Sequence, residues 1–385
     1  MIKFLTIIGA RPQIIKASAI SRAIKNNFSD SITEIIVHTG QHYDENMSGV
    51  FFDELQIPQP NYNLNVGSSS HGAQTAEMIK GIEDILLKEK PDYVILYGDT
   101  NSTLAGSIAA SKLHFNIAHI EAGLRSFNKK MPEEINRIMC DHASTMLFSP
   151  TKTGYDNLIN EGFKTNNKPP YTSDNQGIYH CGDVMYDNSL YFANIAKTKS
   201  NILEKNKLEE NKFILSTIHR DNNTDDEKRL NSIIKMLLYI AEDKNYELVL
   251  PLHPRTKKVF ENKLSKDLYN KLNSNKNIKI IEPVSFLDMI RLEDASKMVI
   301  TDSGGVQKEA FFFKKPCIIL RPETEWVELV KCGVATLAND NYEKFVEAFN
   351  YYEGNKNLQY SSIFGDGNAS TFICNQIINN YNLTK

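Results

Sequence analysis

Acidic side chains follow two short apolar segments of the sequence, at positions suited to proton transfer. Asp99 follows the segment 93–97, with Gly98 between them. Glu121 comes directly after the segment 117–120. If both segments are parallel strands, both carboxylates lie at the carboxyl end of one sheet, where ligands bind. Converging carboxylates at that edge are typical of general acid and base catalysis.

Cationic side chains stand where the first apolar segment, 4–8, passes into a predicted helix. Arg11 and Lys16 belong to the sequence Gly-Ala-Arg-Pro-Gln-Ile-Ile-Lys that follows this segment. The amino end of a helix attracts anions, because its unpaired N–H groups and the helix dipole are electropositive there. The pattern suggests a phosphate site, or else two solvated residues of an ordinary first turn, since the glycine-rich dinucleotide fingerprint is absent.

A second turn of this kind is Ser303-Gly304-Gly305, between the apolar segment 298–301 and a predicted helix. Glycines let the backbone approach a diphosphate, while N–H groups at the start of the helix point toward it. Glu309, about one turn later, is placed to accept hydrogen bonds from ribose hydroxyls. The same sequence would also suit a simple tight turn.

Two histidines follow predicted strands in the second half. His219 is followed by an arginine, and His253 by a proline and an arginine. A lone histidine is more often structural, but the repeated placement at strand ends favours a role in a site. No histidine has metal-ligand spacing, so we predict no metal.

The sequence Pro-Glu-Glu-Ile-Asn-Arg opens another predicted helix, with Glu133 in its first turn and Arg137 one turn later. Acidic residues are favoured there by the helix dipole. By spacing alone the two residues are either part of a site or a surface ion pair worth about 0.3 to 0.5 kcal/mol.

Short β-rich segments alternate with helical segments in both halves, which predicts parallel sheets. The strand segments are 4–8, 34–38, 93–97, 117–120, 146–149, 213–217, 248–252, 278–281, 298–301 and 317–320. The helical segments are 14–25, 74–89, 103–113, 133–143, 226–241 and 306–312.

A chain of 385 residues is too long for one compact core, and it predicts two domains. The predicted fold class is α/β, with two Rossmann-like doubly wound domains facing a cleft. We assign 1–180 to an N-terminal domain on which a C-terminal helix, 366–385, packs back, and 181–365 to a C-terminal domain. The polar segment 164–177, which contains Pro169-Pro170, predicts a loop close to the boundary.

The charge balance excludes several classes of partner. There are 44 Lys and Arg residues against 47 Asp and Glu residues, a net charge of -3, so no basic field exists for nucleic acid or an anionic membrane. No stretch approaches the roughly 20 apolar residues of a membrane span, and the amino-terminal apolar run is too short for a signal peptide. Five scattered cysteines fit a reducing compartment. We therefore predict a cytoplasmic protein that binds neither nucleic acid nor membrane.

Taken in order, these motifs resemble the non-hydrolysing UDP-N-acetylglucosamine 2-epimerase family along nearly the whole chain. The motifs that carry the resemblance lie at 9–16, 39–42, 98–100, 119–125, 132–137, 219–220, 253–254 and 302–309. The resemblance implies the GT-B fold, a UDP-sugar substrate, no cofactor and a homodimer.

It also implies a role for each matching residue. Asp99, Glu121 and Glu133 would be the acid and base carboxylates, with Arg137 and His219 beside the sugar and the leaving group. The implied substrate-binding residues are Arg11 and Lys16 for the diphosphate side, Ser303, Gly304 and Gly305 for the phosphates, Glu309 for the ribose, Phe286 near the uracil, and His253.

Several features are closer to one branch, the UDP-2,3-diacetamido-2,3-dideoxyglucuronate 2-epimerases of O-antigen synthesis. They are the sequences at 9–13, 182–185, 309–313 and 324–329. We therefore favour this uronate as the substrate, with its manno epimer as the product. A uronate would favour a cation near C6, and Lys129 or Lys130 is our hypothesis for it.

Other functions share much of this pattern. A UDP-N-acetylglucosamine 2-epimerase that forms UDP-N-acetylmannosamine and a hydrolysing 2-epimerase would use the same groups. A GT-B glycosyltransferase needs the nucleotide site but not three carboxylates around C2, and a nucleotide-sugar sensor would lack the acid and base set. The allosteric site of some bacterial members uses a Gln-His pair and an Arg before a later Gln. Gln41, His42 and Gln74 are present here, but no Arg adjoins Gln74.

Overall fold

Parallel strands joined by helices build each half of the chain. The computed structural model describes residues 1–40, 58–355 and 357–385. These residues form an N-terminal unit, Met1–Asn188 with Ser362–Lys385, and a C-terminal unit, Ser189–Ser361. The sequence predicts boundaries at 180/181 and 365/366, and those of the two units lie at 188/189 and 361/362.

The N-terminal unit contains a seven-stranded parallel sheet in the order β3-β2-β1-β4-β5-β6-β7. Its strands are β1 (Ile2–Ile8), β2 (Ile32–His38), β3 (Tyr62–Asn63), β4 (Tyr93–Tyr97), β5 (Asn116–Ile120), β6 (Met146–Ser149) and β7 (Gly177–His180). Its described helices are α1 (Arg11–Asn27), α2 (His71–Glu89), α3 (Asn101–Lys112), α4 (Pro132–Ala143), α5 (Lys152–Asn160) and, at the end of the chain, α16 (Ala369–Thr384). Helix α6 (Val184–Lys199) contains the boundary with the C-terminal unit.

The C-terminal unit contains a six-stranded parallel sheet in the order β10-β9-β8-β11-β12-β13. Its strands are β8 (Phe213–Thr217), β9 (Glu247–Pro251), β10 (Ile278–Ile281), β11 (Met298–Thr301), β12 (Cys317–Ile319) and β13 (Ala335–Leu337). Its helices after α6 are α7 (Ile202–Lys205), α8 (Asp221–Thr224), α9 (Glu227–Glu242), α10 (Pro254–Lys263), α11 (Lys266–Ser274), α12 (Phe286–Ala295), α13 (Gly304–Phe312), α14 (Val327–Lys331) and α15 (Tyr342–Gly354).

The central strands form because they are continuous apolar runs. Every residue of β4 and of β8 is buried, as expected for strands covered on both faces by helices. The helices supply the other half of each core through amphipathic faces, as in α9, where Leu230, Ile233 and Leu237 pack on the C-terminal sheet. The predicted fold class, two Rossmann-like α/β domains, is confirmed.

The structure departs from the sequence predictions at short or polar elements. Strands β3, β7 and β13 were not predicted, because two to four residues with polar neighbours carry little periodicity. The predicted loop segment 164–177 precedes the boundary at 188/189. This loop belongs inside the N-terminal unit, where the Tyr171 N–H donates to Asn380 of α16 at 2.6 Å. Within the residues described, no helix has the length and apolar character needed to cross a membrane.

Candidate active site

The candidate residues cluster where the strand order of each sheet reverses. In the N-terminal unit this place lies between β1 and β4, and in the C-terminal unit between β8 and β11. Helices leaving two such strands run to opposite faces of the sheet, which opens a crevice at the carboxyl ends of the strands. Arg11 and Asp99 follow the first pair of strands, and His219 and Ser303 follow the second.

In the N-terminal unit, two carboxylates and two cations meet at this edge. Lys16 of α1 forms an ion pair with Glu121, and Arg137 of α4 forms an ion pair with Asp99. Both pairs are largely buried, with 12–28% of each side chain exposed. Each carboxyl group has a cationic partner, so its charge is balanced when it is ionised, and all four side chains remain within reach of a ligand.

The backbone beside this cluster is constrained. A Cβ at Gly98, whose φ is +61°, would lie 3.1 Å from the Glu121 carboxylate and 3.2 Å from the Lys16 ammonium. Glu121 itself has a φ of +74°, a conformation that non-glycine residues rarely adopt. Such backbone strain concentrates at functional sites, where the surrounding structure holds it in place.

A buried histidine positions the loop that carries Asp99. The His119 ring lies between the Asp141 carboxylate, at 2.7 Å from Nδ1, and the Gly98 carbonyl, at 2.8 Å from Nε2. Burial alone would lower the pKa of His119, but the Cys140 thiol and the Asp141 carboxylate raise it well above its usual range. With an acceptor at each nitrogen, His119 is an imidazolium that donates two hydrogen bonds.

Two neighbours of the predicted catalytic residues on α4 contribute to the site. The buried Glu134 accepts hydrogen bonds from the N–H groups of Ser126 and Phe127 at 2.9 and 2.8 Å, and from Arg137 at 3.0 Å. Asn136 donates to the Asp99 carbonyl at 2.8 Å. These contacts fix the loop before α4 and hold the Arg137 guanidinium against the Asp99 carboxylate.

Glu133 is exposed and makes no hydrogen bond or ion pair with a described residue. The surface ion pair with Arg137 that the spacing allowed is therefore not formed among the described residues, since Arg137 binds Asp99 and Glu134 instead. Glu133 lies one residue from Glu134, so a turn of about 100° directs it away from the interior.

The replacement Glu133→Gln separates a catalytic role from a solvated surface role. We expect turnover to fall at least about 100-fold, the low end for a general acid or base. Thermal stability should stay close to the wild-type level, because the side chain is exposed and makes no hydrogen bond or ion pair with a described residue. Steady-state assays measure turnover, and thermal unfolding measures stability. Turnover near that of the wild type would remove Glu133 from the mechanism.

Gln13 connects the turn after β1 to the end of β4. Its side-chain oxygen accepts hydrogen bonds from the N–H groups of Gly9 and Ala10 at 2.9 and 3.1 Å. Its amide nitrogen donates to the Tyr97 carbonyl and to Thr103, both at 3.0 Å. A glutamate cannot donate to these acceptors when ionised, which explains why an amide suits this position.

Burial raises the pKa of Asp99, although Arg137 and Lys16 act in the opposite direction. Glu121 forms an ion pair with Lys16. Two neighbouring carboxyl groups in different surroundings are the arrangement expected when one donates a proton and the other accepts one.

In the C-terminal unit, a buried aspartate joins the two predicted motifs. Asp302 has no exposed surface and accepts hydrogen bonds from the N–H groups of His219 and Arg220 and from the Asn223 side chain, at 3.0–3.2 Å. Its Oδ1 also lies 3.0 Å from Nδ1 of His219. This contact fixes the His219 ring so that its Nε2 points away from Asp302. The His219 side chain is 56% exposed.

The Ser303-Gly304-Gly305 turn begins α13, and Ser303 is its N-cap. A Cβ at position 304 would lie 2.1 Å from Oε1 of Glu325, so a larger residue there would displace this side chain. That carboxylate forms an ion pair with Arg321 at 2.8 Å. The N–H groups of the first turn of α13 therefore open at the carboxyl end of β11, beside a fixed pair of charges.

Each of the remaining predicted site residues lies in or beside a different helix. Arg11 is exposed at the start of α1, and Glu309 lies on α13. Phe286 begins α12 and packs edge-on against Phe192, with ring centroids 5.2 Å apart. His253 is the N-cap of α10, where its Nδ1 accepts the Arg255 N–H at 3.3 Å.

Five residues that position the site, His119, Asp141, Glu134, Asn136 and Asp302, were not predicted as functional from the sequence. For Asp302 a signal existed, an acidic residue directly after a buried strand. Gln41 and His42 lie outside the described residues. Gln74 is buried and bonded to Gly67 at 3.0 Å and Asn101 at 2.9 Å, so its amide serves the N-terminal fold.

Comparison with known proteins gives matches over nearly the whole chain. The family model described as UDP-N-acetylglucosamine 2-epimerase matches residues 24–378. A "UDP-N-acetylglucosamine 2-epimerase homolog" of Methanococcus maripaludis is 49% identical over 372 residues, 96% of this chain and 98% of that protein. The UDP-2,3-diacetamido-2,3-dideoxy-D-glucuronate 2-epimerase of Pseudomonas aeruginosa is 49% identical over 371 residues, with the same coverage.

A solved structure extends the likeness to three dimensions. The UDP-GlcNAc 2-epimerase of Methanocaldococcus jannaschii, in complex with UDP-GlcNAc and UDP, is 42% identical and has a TM-score of 0.80. The match covers 98% of this chain and 99% of that one. Sequence, fold and family model all agree over nearly the full length, and the chain belongs to the UDP-N-acetylglucosamine 2-epimerase family of isomerases.

Proposed function

We propose that this chain is a non-hydrolysing 2-epimerase of a UDP-2-acetamido sugar. The observation that carries the proposal is the buried cluster of Lys16, Asp99, Glu121 and Arg137 at the strand ends of the N-terminal unit. A nucleotide-binding protein without proton-transfer chemistry has no need of two carboxyl groups held at that edge.

The substrate chemistry explains why several carboxylates are needed. A 2-acetamido sugar has no carbonyl group beside C2, so its C2 proton is barely acidic and leaves only as the C1–O bond breaks. Loss of that proton and of UDP gives a 2-acetamidoglycal. UDP then adds back to C1 while a proton reaches C2 from the opposite face. Both faces of C2 therefore need a proton-transfer group.

We assign the removal of the C2 proton to Glu121, which forms an ion pair with Lys16, and delivery at the opposite face to Asp99, whose pKa is raised by burial. Arg137 balances the charge on Asp99 once the proton has left. Glu133 is the third proton-transfer group. Glu121 and Asp99 exchange protons with solvent between turnovers. Solvent hydrogen therefore enters the product at C2.

The C-terminal unit supplies the groups for UDP. Departure of UDP places negative charge on its β-phosphate, which electropositive groups fixed in advance stabilise without reorganisation. We assign this role to the first turn of α13, with Ser303, Gly304 and Gly305, and to His219, which Asp302 orients. Further binding residues on this proposal are Arg11 for the diphosphate, Glu309 for the ribose, Phe286 for the uracil, and His253.

For the sugar, we favour UDP-2,3-diacetamido-2,3-dideoxyglucuronate. The 49% identity to the Pseudomonas aeruginosa epimerase of that compound supports this choice. UDP-N-acetylglucosamine is the alternative, supported by 43% identity to a Methanocaldococcus jannaschii enzyme of that name. Surface polysaccharide synthesis, O-antigen included, a cytoplasmic location and a homodimer stay predictions that rest on the family resemblance.

Lys129 and Lys130 are our candidates for recognition of the uronate carboxylate. Both are exposed in the turn before α4, and neither forms an ion pair with a described residue. Lys129 lines a cavity of about 530 Å³ together with Glu134, the residue that holds Arg137. A cation at this place is therefore available to a charged substituent of the sugar.

The Lys129→Ala/Lys130→Ala double variant should lose activity on the uronate and keep activity on UDP-N-acetylglucosamine. A hydrogen-bonded charge pair contributes about 1.5 to 3 kcal/mol, so kcat/KM for the uronate should fall at least about tenfold. Lys88→Ala/Lys90→Ala, at the exposed end of α2, is the matched control. An equal effect of the double variant on both substrates would exclude this role.

Proton NMR in D₂O tests the proposed reaction directly. The protein is incubated with UDP-N-acetylglucosamine and, separately, with the diacetamido uronate, and C1 and C2 are followed. Deuterium at C2 with UDP still attached is the expected result. Release of UDP and free sugar would indicate a hydrolysing epimerase, and no exchange with either substrate would favour a transferase or a sensor.

A further inference from the structure

A fully buried carboxyl group lies beside the residue that we assign to the ribose. Glu293, on α12, has no exposed surface. Neither of its carboxyl oxygens has a hydrogen-bond partner among the N–H and O–H groups of the described residues. The group next to it is the carboxyl group of Glu309 on α13. None of the roles assigned so far uses Glu293.

Two ionised carboxylates cannot be accommodated at this place. An unpaired buried charge costs several kcal/mol, and a second negative charge beside it adds to that cost. Burial and the neighbouring Glu309 raise the pKa of Glu293 well above its usual range. Glu293 therefore holds a proton at neutral pH, and Glu309, which is less buried, carries the negative charge.

A protonated carboxyl group becomes a hydrogen-bond donor. We propose that Glu293 is a positioning residue of the nucleotide site, whose O–H donates to Glu309 and holds that carboxylate toward the ribose hydroxyls of UDP. The proposal rests on the proposed role of Glu309.

The surroundings place both groups at the nucleotide site. Oε2 of Glu309 lies 4.0 Å from the position a Cβ would take at Gly305, so the carboxylate stands beside the predicted phosphate turn. Glu293 is about two helical turns after Phe286 and on the same face of α12. One helix thus carries both the candidate uracil contact and the support for the ribose contact.

The test compares the affinities of UDP and 2′,3′-dideoxy-UDP, measured by isothermal titration calorimetry. Hydrogen bonds to a charged group should make UDP bind at least about tenfold more tightly than the dideoxy compound in the wild type. Glu293→Met, which cannot donate, should reduce this ratio at least about threefold while leaving the affinity for the dideoxy compound unchanged. Glu293→Gln, whose amide can donate to Glu309, should keep the wild-type ratio.

The ratio distinguishes positioning from general damage, because a merely structural defect weakens both ligands equally. Glu309→Gln is the second control and should lose the preference for UDP. If Glu309→Gln keeps it, both the ribose assignment and the role of Glu293 are wrong. If Glu309→Gln loses it and Glu293→Met keeps it, only the proposal for Glu293 is overturned.

An infrared measurement tests the same proposal without the methionine variant. A protonated carboxylic acid has a C=O stretch separate from the bands of a carboxylate. The difference spectrum between the wild type and Glu293→Gln at neutral pH should show that the variant has lost the C=O band of the protonated acid. A carboxylate band lost in its place would overturn the proposal.

Discussion

Replacement of Glu121 by glutamine is expected to abolish proton removal at C2 while UDP still binds. The amide keeps the shape of the side chain but cannot accept the proton, and the Lys16 ammonium loses its counter-charge. Turnover should fall at least about 100-fold, as for other general bases. Deuterium incorporation at C2 should fall by the same factor, because exchange and epimerisation share the same proton transfer.

The measurement combines NMR exchange rates with calorimetric UDP affinities for the purified variant. Glu83→Gln is the matched control, since Glu83 is an exposed glutamate of α2 without a hydrogen bond or ion pair to a described residue. Loss of UDP affinity together with turnover would indicate a damaged site. Turnover near that of the wild type would exclude Glu121 as the base.

Replacement of Asp302 by asparagine should damage both stability and catalysis. The carboxylate accepts from two backbone N–H groups and the Asn223 amide, and it contacts the His219 ring. The NH₂ group of an asparagine would face these N–H donors, so some of them would lose their acceptor. We expect the free energy of unfolding to fall by about 3 to 5 kcal/mol and turnover at least about 100-fold, since the ring loses its fixed orientation.

Urea unfolding and steady-state kinetics check this expectation. Asp267→Asn is the control, because Asp267 forms an exposed ion pair with Lys271 that should contribute no more than about 1 kcal/mol. A change in stability of the Asp302→Asn variant as small as that of the control would show that the buried contacts of Asp302 contribute little.

The pH dependence of unfolding gives a second test of Asp302. Burial acts to raise its pKa, but contacts with His219, Arg220 and Asn223 lower it below the usual value of 3.8. The stabilisation is therefore fully present above that unfolded-state value and is lost as the pH falls through the lower folded-state pKa. Below about pH 4 the wild type should lose stability more steeply than Asp302→Asn.

The alternation of strands and helices was enough to predict where the candidate residues would gather. Parallel strands end at one edge of each sheet, so the residues just after β4 and β5 gather at the edge of the N-terminal sheet, and those just after β8 and β11 at the edge of the C-terminal sheet. This placement can be predicted without any knowledge of side-chain packing. This is why Asp99, Glu121 and His219 could be selected from one sequence.

The partners of these residues could not be predicted in the same way. Lys16 was assigned to phosphate from its place near a helix start, yet it forms an ion pair with Glu121, a residue 105 positions away. Glu133 and Glu134 are adjacent, and only the packing of α4 decides that the second faces inward and binds Arg137. Contacts between distant segments depend on side-chain reach and helix rotation, neither of which a local pattern encodes.

The buried imidazolium of His119 also provides a native spectroscopic reporter. Both of its N–H protons are hydrogen-bonded and shielded from water, so they should exchange slowly and give two separate downfield proton resonances. The proton on Nε2 is bonded to the carbonyl oxygen of Gly98, the residue before Asp99. A ligand that disturbs Asp99 will therefore shift this resonance, so that occupancy can be followed in unlabelled protein without a change at any catalytic group.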